Sequence, residues 1–166
     1  MSVHLVLYEP EIPPNTGNIA RLCAAMGIAM HLVEPLGFSL DNKQLKRAGL
    51  DYWHELEVSV WPDFDAYLGK AGQGQRLVAT SAKQRHSALP LPDFVFTDRD
   101  SLVFGPETRG LPGHILASCA CCVHIPIRAE TRSLNLSTAA GIVLYAALAQ
   151  LNLLAAPPAK TCRSST

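Results

Sequence analysis

Two apolar runs with an amphipathic segment between them constrain this chain more than any other feature. Residues 3–8 form a compact apolar run with one histidine, and residues 29–33 form a second. Continuous apolar runs of this length suit strands covered on both faces. Between them, Ile19, Leu22, Cys23 and Met26 recur at i, i+3, i+4 and i+7, one face of a helix, and Gly27 stands where that helix should stop. Connections this short from strand to helix to strand admit a parallel βαβ unit. Residues 9–14, E-P-E-I-P-P, read as a stiff extended loop outside the helix, which makes Asn15, Thr16 and Asn18 its capping groups. Further strands are expected at 56–60, 76–80, 101–104 and 122–125, and residues 81–92 read as loop. Short helices are expected at 63–68 and 112–118, and an apolar one running to about residue 151. The fold class is α/β, a mostly parallel sheet with helices on both faces.

The 166 residues make one domain, assigned to 1–153, followed by a flexible tail at 154–166. Lysine plus arginine and aspartate plus glutamate balance at 14 each, so a nucleic-acid partner would need a local basic patch. A candidate patch is a short helix capped by Asp41, where Lys43, Lys46 and Arg47 share one face. That face is either solvated or phosphate-contacting. Five cysteines without framework spacing predict reduced thiols. No basic and apolar leader opens the sequence, and the longest apolar run, residues 139–149, is short of the roughly 20 residues of a membrane span. The expectation is a soluble cytoplasmic protein with no membrane or metal partner. Cys119, Cys121 and Cys122 lie near His114 and His124, but alternate strand positions face opposite ways, so the thiols read as packing groups.

Residues 102–111, L-V-F-G-P-E-T-R-G-L, leave an apolar strand at a Gly-Pro turn and carry Glu107 and Arg109 between two glycines. Polar groups at the carboxyl end of a strand are where open α/β sheets bind ligands, so this stretch reads as one wall of an active site. Two others have similar make-up, N-T-G-N-I-A-R at 15–21 and residues 125–138, which contain I-P-I-R and S-L-N-L-S-T. In the last, Asn135, Ser137 and Thr138 sit where a helix start exposes free amides. Arg21 points away from the apolar face of its helix, as a solvated charge or as an anion-holding group aimed at a cleft. Beyond Ala139 the final helix is apolar nearly all round, which predicts burial between the sheet and a second subunit. No dinucleotide fingerprint, Walker loop or Ser-His-Asp order is present.

Together, N-T-G-N-I-A-R, F-G-P-E-T-R-G-L and I-P-I-R with S-L-N-L-S-T resemble three motifs of the SPOUT superfamily of S-adenosylmethionine-dependent RNA methyltransferases. The opening L-Y-E-P-E-I-P-P-N-T-G-N and the R-A-G-L-D-Y-W of residues 47–53 are similar to its small tRNA (cytidine/uridine-34 2′-O)-methyltransferases. The resemblance covers residues 1–153. It implies an α/β sheet whose C-terminal part is threaded into a deep trefoil knot, and a homodimer. It also implies 2′-O-methylation of the wobble nucleotide in the tRNA anticodon stem-loop, leucine isoacceptors included, with S-adenosylhomocysteine as product. The cofactor would be held by backbone groups of three loops, carried over as Thr80, then Gly105, Glu107 and Gly110, then Ile125, Ile127, Ser133 and Leu134. Thr80 departs from the leucine that relatives often carry. Arg21 would lie beside the target ribose, oriented by Asn15, Glu107 and Asn135, while Lys43, Lys46 and Arg47 grip the anticodon stem. A guanidinium stays protonated to above about pH 12, so Arg21 is read as a ligand of phosphate and alkoxide and not as the base. The rivals are a 2′-O-methyltransferase for another tRNA or rRNA position, a silent RNA-binding module, and a nucleotide-dependent dehydrogenase, which the missing glycine loop disfavours.

Overall fold

The computed structural model of the chain describes residues 3–39, 57–81, 88–130 and 132–154. The helix expected after Asp41, with Lys43, Lys46 and Arg47, lies outside the described residues, as does the tail beyond residue 154. Strand β1 (His4–Tyr8), helix α1 (Pro13–Met26) and strand β2 (Ala29–Val33) form the expected parallel unit, in register from His4 opposite Ala29 to Tyr8 opposite Val33. Gly27 closes α1 in the left-handed conformation, at φ 65°. The other end of α1 differs from the sequence reading. Pro13 and Pro14 build its first turn behind Ile12 as N-cap, so Asn15, Thr16 and Asn18 lie within the helix instead of capping it. Proline is at home there, because its φ is already helical and the first helical N–H groups have no intrahelical acceptor to lose.

The chain continues through β3 (Val58–Trp61), α2 (Phe64–Leu68), β4 (Arg76–Ser81), β5 (Ala88–Pro90) and β6 (Asp100–Phe104), then α3 (Gly113–Ser118), β7 (Cys121–His124) and α4 (Leu136–Gln150). The strands lie in the order β3-β2-β1-β6-β4-β7-β5, and every pairing is parallel. One strand falls within the expected loop 81–92. Residues 88–90 pair with β7 at the sheet edge, the place where a strand ending in proline is tolerated.

Leu5, Leu7, Met30, Leu102, Phe104 and Val123 turn one face of the sheet toward Ile19 and Cys23 of α1 and Val143, Leu144 and Leu148 of α4. The alternate positions Val6, Val33, Ala79 and Val103 meet Phe64, Tyr67 and Ile115 of α2 and α3 on the other. Helices therefore cover both faces, as the two-sided apolar runs require. Cys119 and Cys122 pack on the α2–α3 side and Cys121 on the α1–α4 side. At the amino ends of β4 and β6, the fully buried Asp100 accepts from Arg76 Nε and Nη2 (2.7 Å each) and from the amide and hydroxyl of Thr97 (2.9 and 2.7 Å). A buried carboxylate so fully bonded holds that end of the sheet closed.

His31 of β2 is buried, accepts from Trp61 Nε1 at 3.2 Å and lies 4.9 Å from the His4 ring. Burial, and secondarily His4, lowers its pKa to about 4 from an ordinary 6.5. The unfolded chain therefore takes up a proton that the native state refuses, so this stability is intact above pH 6.5 and drains away as the pH falls toward 4. The urea midpoint should fall across that window, and His31→Phe should flatten the slope.

Candidate active site

The carboxyl ends of β1, β6, β4 and β7 are adjacent in the sheet, and the loops that leave them enclose one cavity of about 1050 Å³. That is just above the usual range for ligand sites, roughly 300–1,000 Å³. Its walls are Thr80 and Ser81 at the end of β4, residues 105–111 after β6, residues 125–129 after β7, and residues 133–136 entering α4. Asn15 and Ile12 at the start of α1 complete it. Gly105 and Gly110 can line it only through backbone atoms. A Cβ on Gly105 would stand 2.4 Å from Leu111 N and 2.6 Å from the Gly110 carbonyl carbon, so glycine is required because the loop folds back on itself. The bond from Gly110 N–H to Pro106 O (2.9 Å) closes that turn.

Glu107 and Arg109 do not pair with each other. The Glu107 carboxylate reaches across to α1, where Oε2 accepts from Glu11 N–H (2.9 Å) and Oε1 from Ile12 N–H (3.3 Å) and Asn15 Nδ2 (3.0 Å). It thus fixes the two residues that lead into α1 and one side chain of its first turn, from a position 92 residues away from Asn15 in the chain, and a carboxylate there also suits the positive end of the helix dipole. Asn15 is buried, and its Oδ1 accepts from Asn135 Nδ2 (2.9 Å). Asn135 Oδ1 in turn accepts from Ser137 N–H (2.9 Å), Ser137 Oγ (2.7 Å) and Thr138 N–H (3.4 Å) at the start of α4. The amides of Ser137 and Thr138, expected to be free, are therefore capped. Arg109 pairs with Glu9, and Glu11 accepts from both the amide and the hydroxyl of Thr108.

Over residues 2–145 the sequence matches the profile of the SpoU rRNA Methylase family. The chain belongs to this family. It is 48% identical over 153 residues to an Escherichia coli (strain K12) protein named tRNA (cytidine(34)-2′-O)-methyltransferase, covering 90% of this chain and 94% of that one. A relative of the same name from Aeromonas hydrophila is 48% identical over 151 residues, covering 89% and 93%. A solved structure described as giving structural insights into the 2-OH methylation of C/U34 on tRNA superposes with a TM-score of 0.84 at 45% identity, covering 91% of this chain and 97% of that one. The SpoU methyltransferase AviRb from Streptomyces viridochromogenes, solved with the cofactor AdoMet, is similar at TM-score 0.79 and 26% identity, but this chain covers only 61% of it.

Within this SpoU-family fold, all eight residues expected at the cofactor line this cavity: Thr80, Gly105, Glu107, Gly110, Ile125, Ile127, Ser133 and Leu134. Asn15 and Asn135 join them. Arg21 does not. It is exposed on α1, six residues and so about 9 Å along the axis from Asn15, outside the lining. Sequence reasoning passed over Glu9, Glu11 and Thr108, whose roles come from partners about 97–100 residues away. His124, named only beside the cysteines, was not read as part of this site; it is buried in the lining, and its Nδ1 has no partner among the described residues. Its only sequence signal was a place at the end of a strand.

Removing the Glu107 carboxylate deprives two part-buried donors and one exposed donor of their acceptor. Glu107→Ala should cost about 3 kcal/mol of unfolding free energy in urea titration, and Glu107→Gln, which keeps one acceptor, about half that.

Proposed function

We infer that this protein transfers a methyl group from S-adenosylmethionine to the ribose 2′-hydroxyl of nucleotide 34, cytidine or uridine, in the anticodon stem-loop of tRNA, releasing S-adenosylhomocysteine. The observation that carries this reading is 48% identity along nearly the whole of both chains to relatives named for that reaction. The relatives that match at 48% identity are named for cytidine 34 of tRNA, while AviRb is only 26% identical, which favours the tRNA wobble position over rRNA or another tRNA position. The cavity suits the donor in its chemistry. Apolar Phe104, Leu116, Val123 and Val143 offer surface for a flat base, and the glycines let a ligand approach the backbone.

The donor supplies an activated methyl group on a sulfonium sulfur. The chain supplies position, since a 2′-oxygen held in line near 3 Å accounts for most of such an acceleration. Thr80, Gly105, Gly110, Ile125, Ile127, Ser133 and Leu134 form the walls that orient the donor. Asn15, Glu107 and Asn135 are positioning residues, because each spends its polar atoms on the others and on helix starts. Arg21, exposed on α1, holds the target phosphate and stabilises the alkoxide as the hydroxyl proton leaves for that phosphate. Lys43, Lys46 and Arg47 add contacts to the anticodon stem.

The protein acts as a homodimer in the cytoplasm, its C-terminal part threaded as a trefoil knot. Supporting the dimer, α4 buries Val143, Leu144 and Leu148 against the sheet yet leaves Ile142 and Tyr145 39% and 56% exposed on its outer side. Among the described residues no helix is long and apolar enough to cross a membrane.

Bulk tRNA incubated with the protein and labelled donor should gain one methyl, mapped by nucleoside and fragment mass spectrometry to the ribose of nucleotide 34. A methyl elsewhere, or none, selects the rival sites or the silent module. Arg21→Ala should keep S-adenosylhomocysteine affinity within a factor of about two and slow methylation at least about a hundredfold. Tyr145→Asp should sediment at half the wild-type mass.

A further inference from the structure

The loop of residues 105–111 and the start of α1 are joined by bonds that run in both directions. Glu107 takes the amides of Glu11 and Ile12, and the Glu11 carboxylate takes the Thr108 amide at 3.0 Å and the Thr108 hydroxyl at 2.9 and 2.8 Å. One such bond would leave a pivot. Two opposed sets fix both the separation and the angle of the segments, and the Arg109–Glu9 pair adds a third tie at the rim. Thr108 lies between Glu107 and Gly110, so what holds Thr108 holds the middle of the cavity wall. The segment that receives this clamp leads directly into α1, which carries Arg21 at an exposed position.

We propose that Glu11 is a positioning residue for methyl transfer: its carboxylate clamps Thr108 to the start of α1 and so holds the cofactor wall in its binding shape. The inference rests on the cavity being the S-adenosylmethionine site, as set out above. Its chemistry favours the charged acceptor. Glu11 is held below the usual carboxylate range chiefly by the Thr108 amide and then by the Thr108 hydroxyl, so the carboxylate is the bonded form. Two donors from one residue need two lone pairs on the acceptor, which a carboxylate provides and an amide side chain offers on one atom only. Glu11 and Thr108 stand at the surface, their bonds exposed to solvent, so replacing either leaves the buried core untouched.

The test uses the full chain, calorimetric titration with S-adenosylhomocysteine, and steady-state methylation of tRNA. Glu11→Gln and Thr108→Val should each weaken S-adenosylhomocysteine binding about tenfold. KM for the donor should rise to match, while KM for tRNA and the thermal midpoint stay near wild type. The double variant should lose no more than either single one, because both break one clamp. Thr108→Ser, which keeps both donors, should restore the affinity that Thr108→Val loses. Affinities within twofold of wild type in both single variants, or losses that add in the double variant, overturn the proposal. A wild-type protein that binds no S-adenosylhomocysteine overturns instead the assignment of the cavity on which it rests.

Discussion

A carboxylate brought to the start of a helix from the loop after the neighbouring strand, about a hundred residues away in the chain, is the constraint on which the rest of this molecule's site depends. α1 begins with two prolines and an N-cap isoleucine, so nothing local can accept from the amides of Glu11 and Ile12. Glu107 accepts both, and Asn15 besides. That requirement draws the loop after β6 against the loop after β1, which is possible because β6 pairs directly with β1. From Asn15 the chain of bonds continues to Asn135 and the start of α4. Three segments distant in sequence thus share one connected polar network, in which Glu107, Asn15 and Asn135 hold one another and the helix starts in place.

The two ends of the sheet play different parts. At the amino ends the Arg76–Asp100 pair and Thr97 form a closed, fully bonded anchor. At the carboxyl ends, loops outside helix and strand leave backbone groups facing a cavity. The strand order puts β1, β6, β4 and β7 side by side, so four loop exits converge where a parallel sheet presents its ligand. A tight polar network and an open apolar-and-backbone cavity are complementary: the first supplies rigidity, and the second can then afford exposed backbone without collapsing.

Much of the scaffold was legible from local pattern. Ile19, Leu22, Cys23 and Met26 marked the buried face of α1, Gly27 its end, and the apolar runs of β1 and β2 their burial on both sides, because periodicity is a direct record of which face meets the core. The failures were also local in cause. Pro13 and Pro14 read as loop because proline breaks helix interiors, whereas a first turn accepts it. Residues 88–90 read as loop because three residues ending in proline carry too little signal to announce an edge strand. Of the site, local pattern showed only the composition of three loops; that they meet was implied by the resemblance to the SPOUT motifs, and all eight residues expected at the cofactor do line one cavity. It was not visible that Glu107 serves α1 while Arg109 turns to Glu9.

The sequence by itself determined the elements other than β5, the two-sided burial of the strands and which loops are rich in glycine, amide and carboxylate groups, since these follow from side-chain spacing and backbone chemistry within a few residues. Only the tertiary structure decided that β6 lies between β1 and β4, which loops face one another, and which partner each charged group takes. Those choices depend on contacts spanning about a hundred residues, and a chain's local pattern carries no record of which distant group will satisfy an unpaired amide.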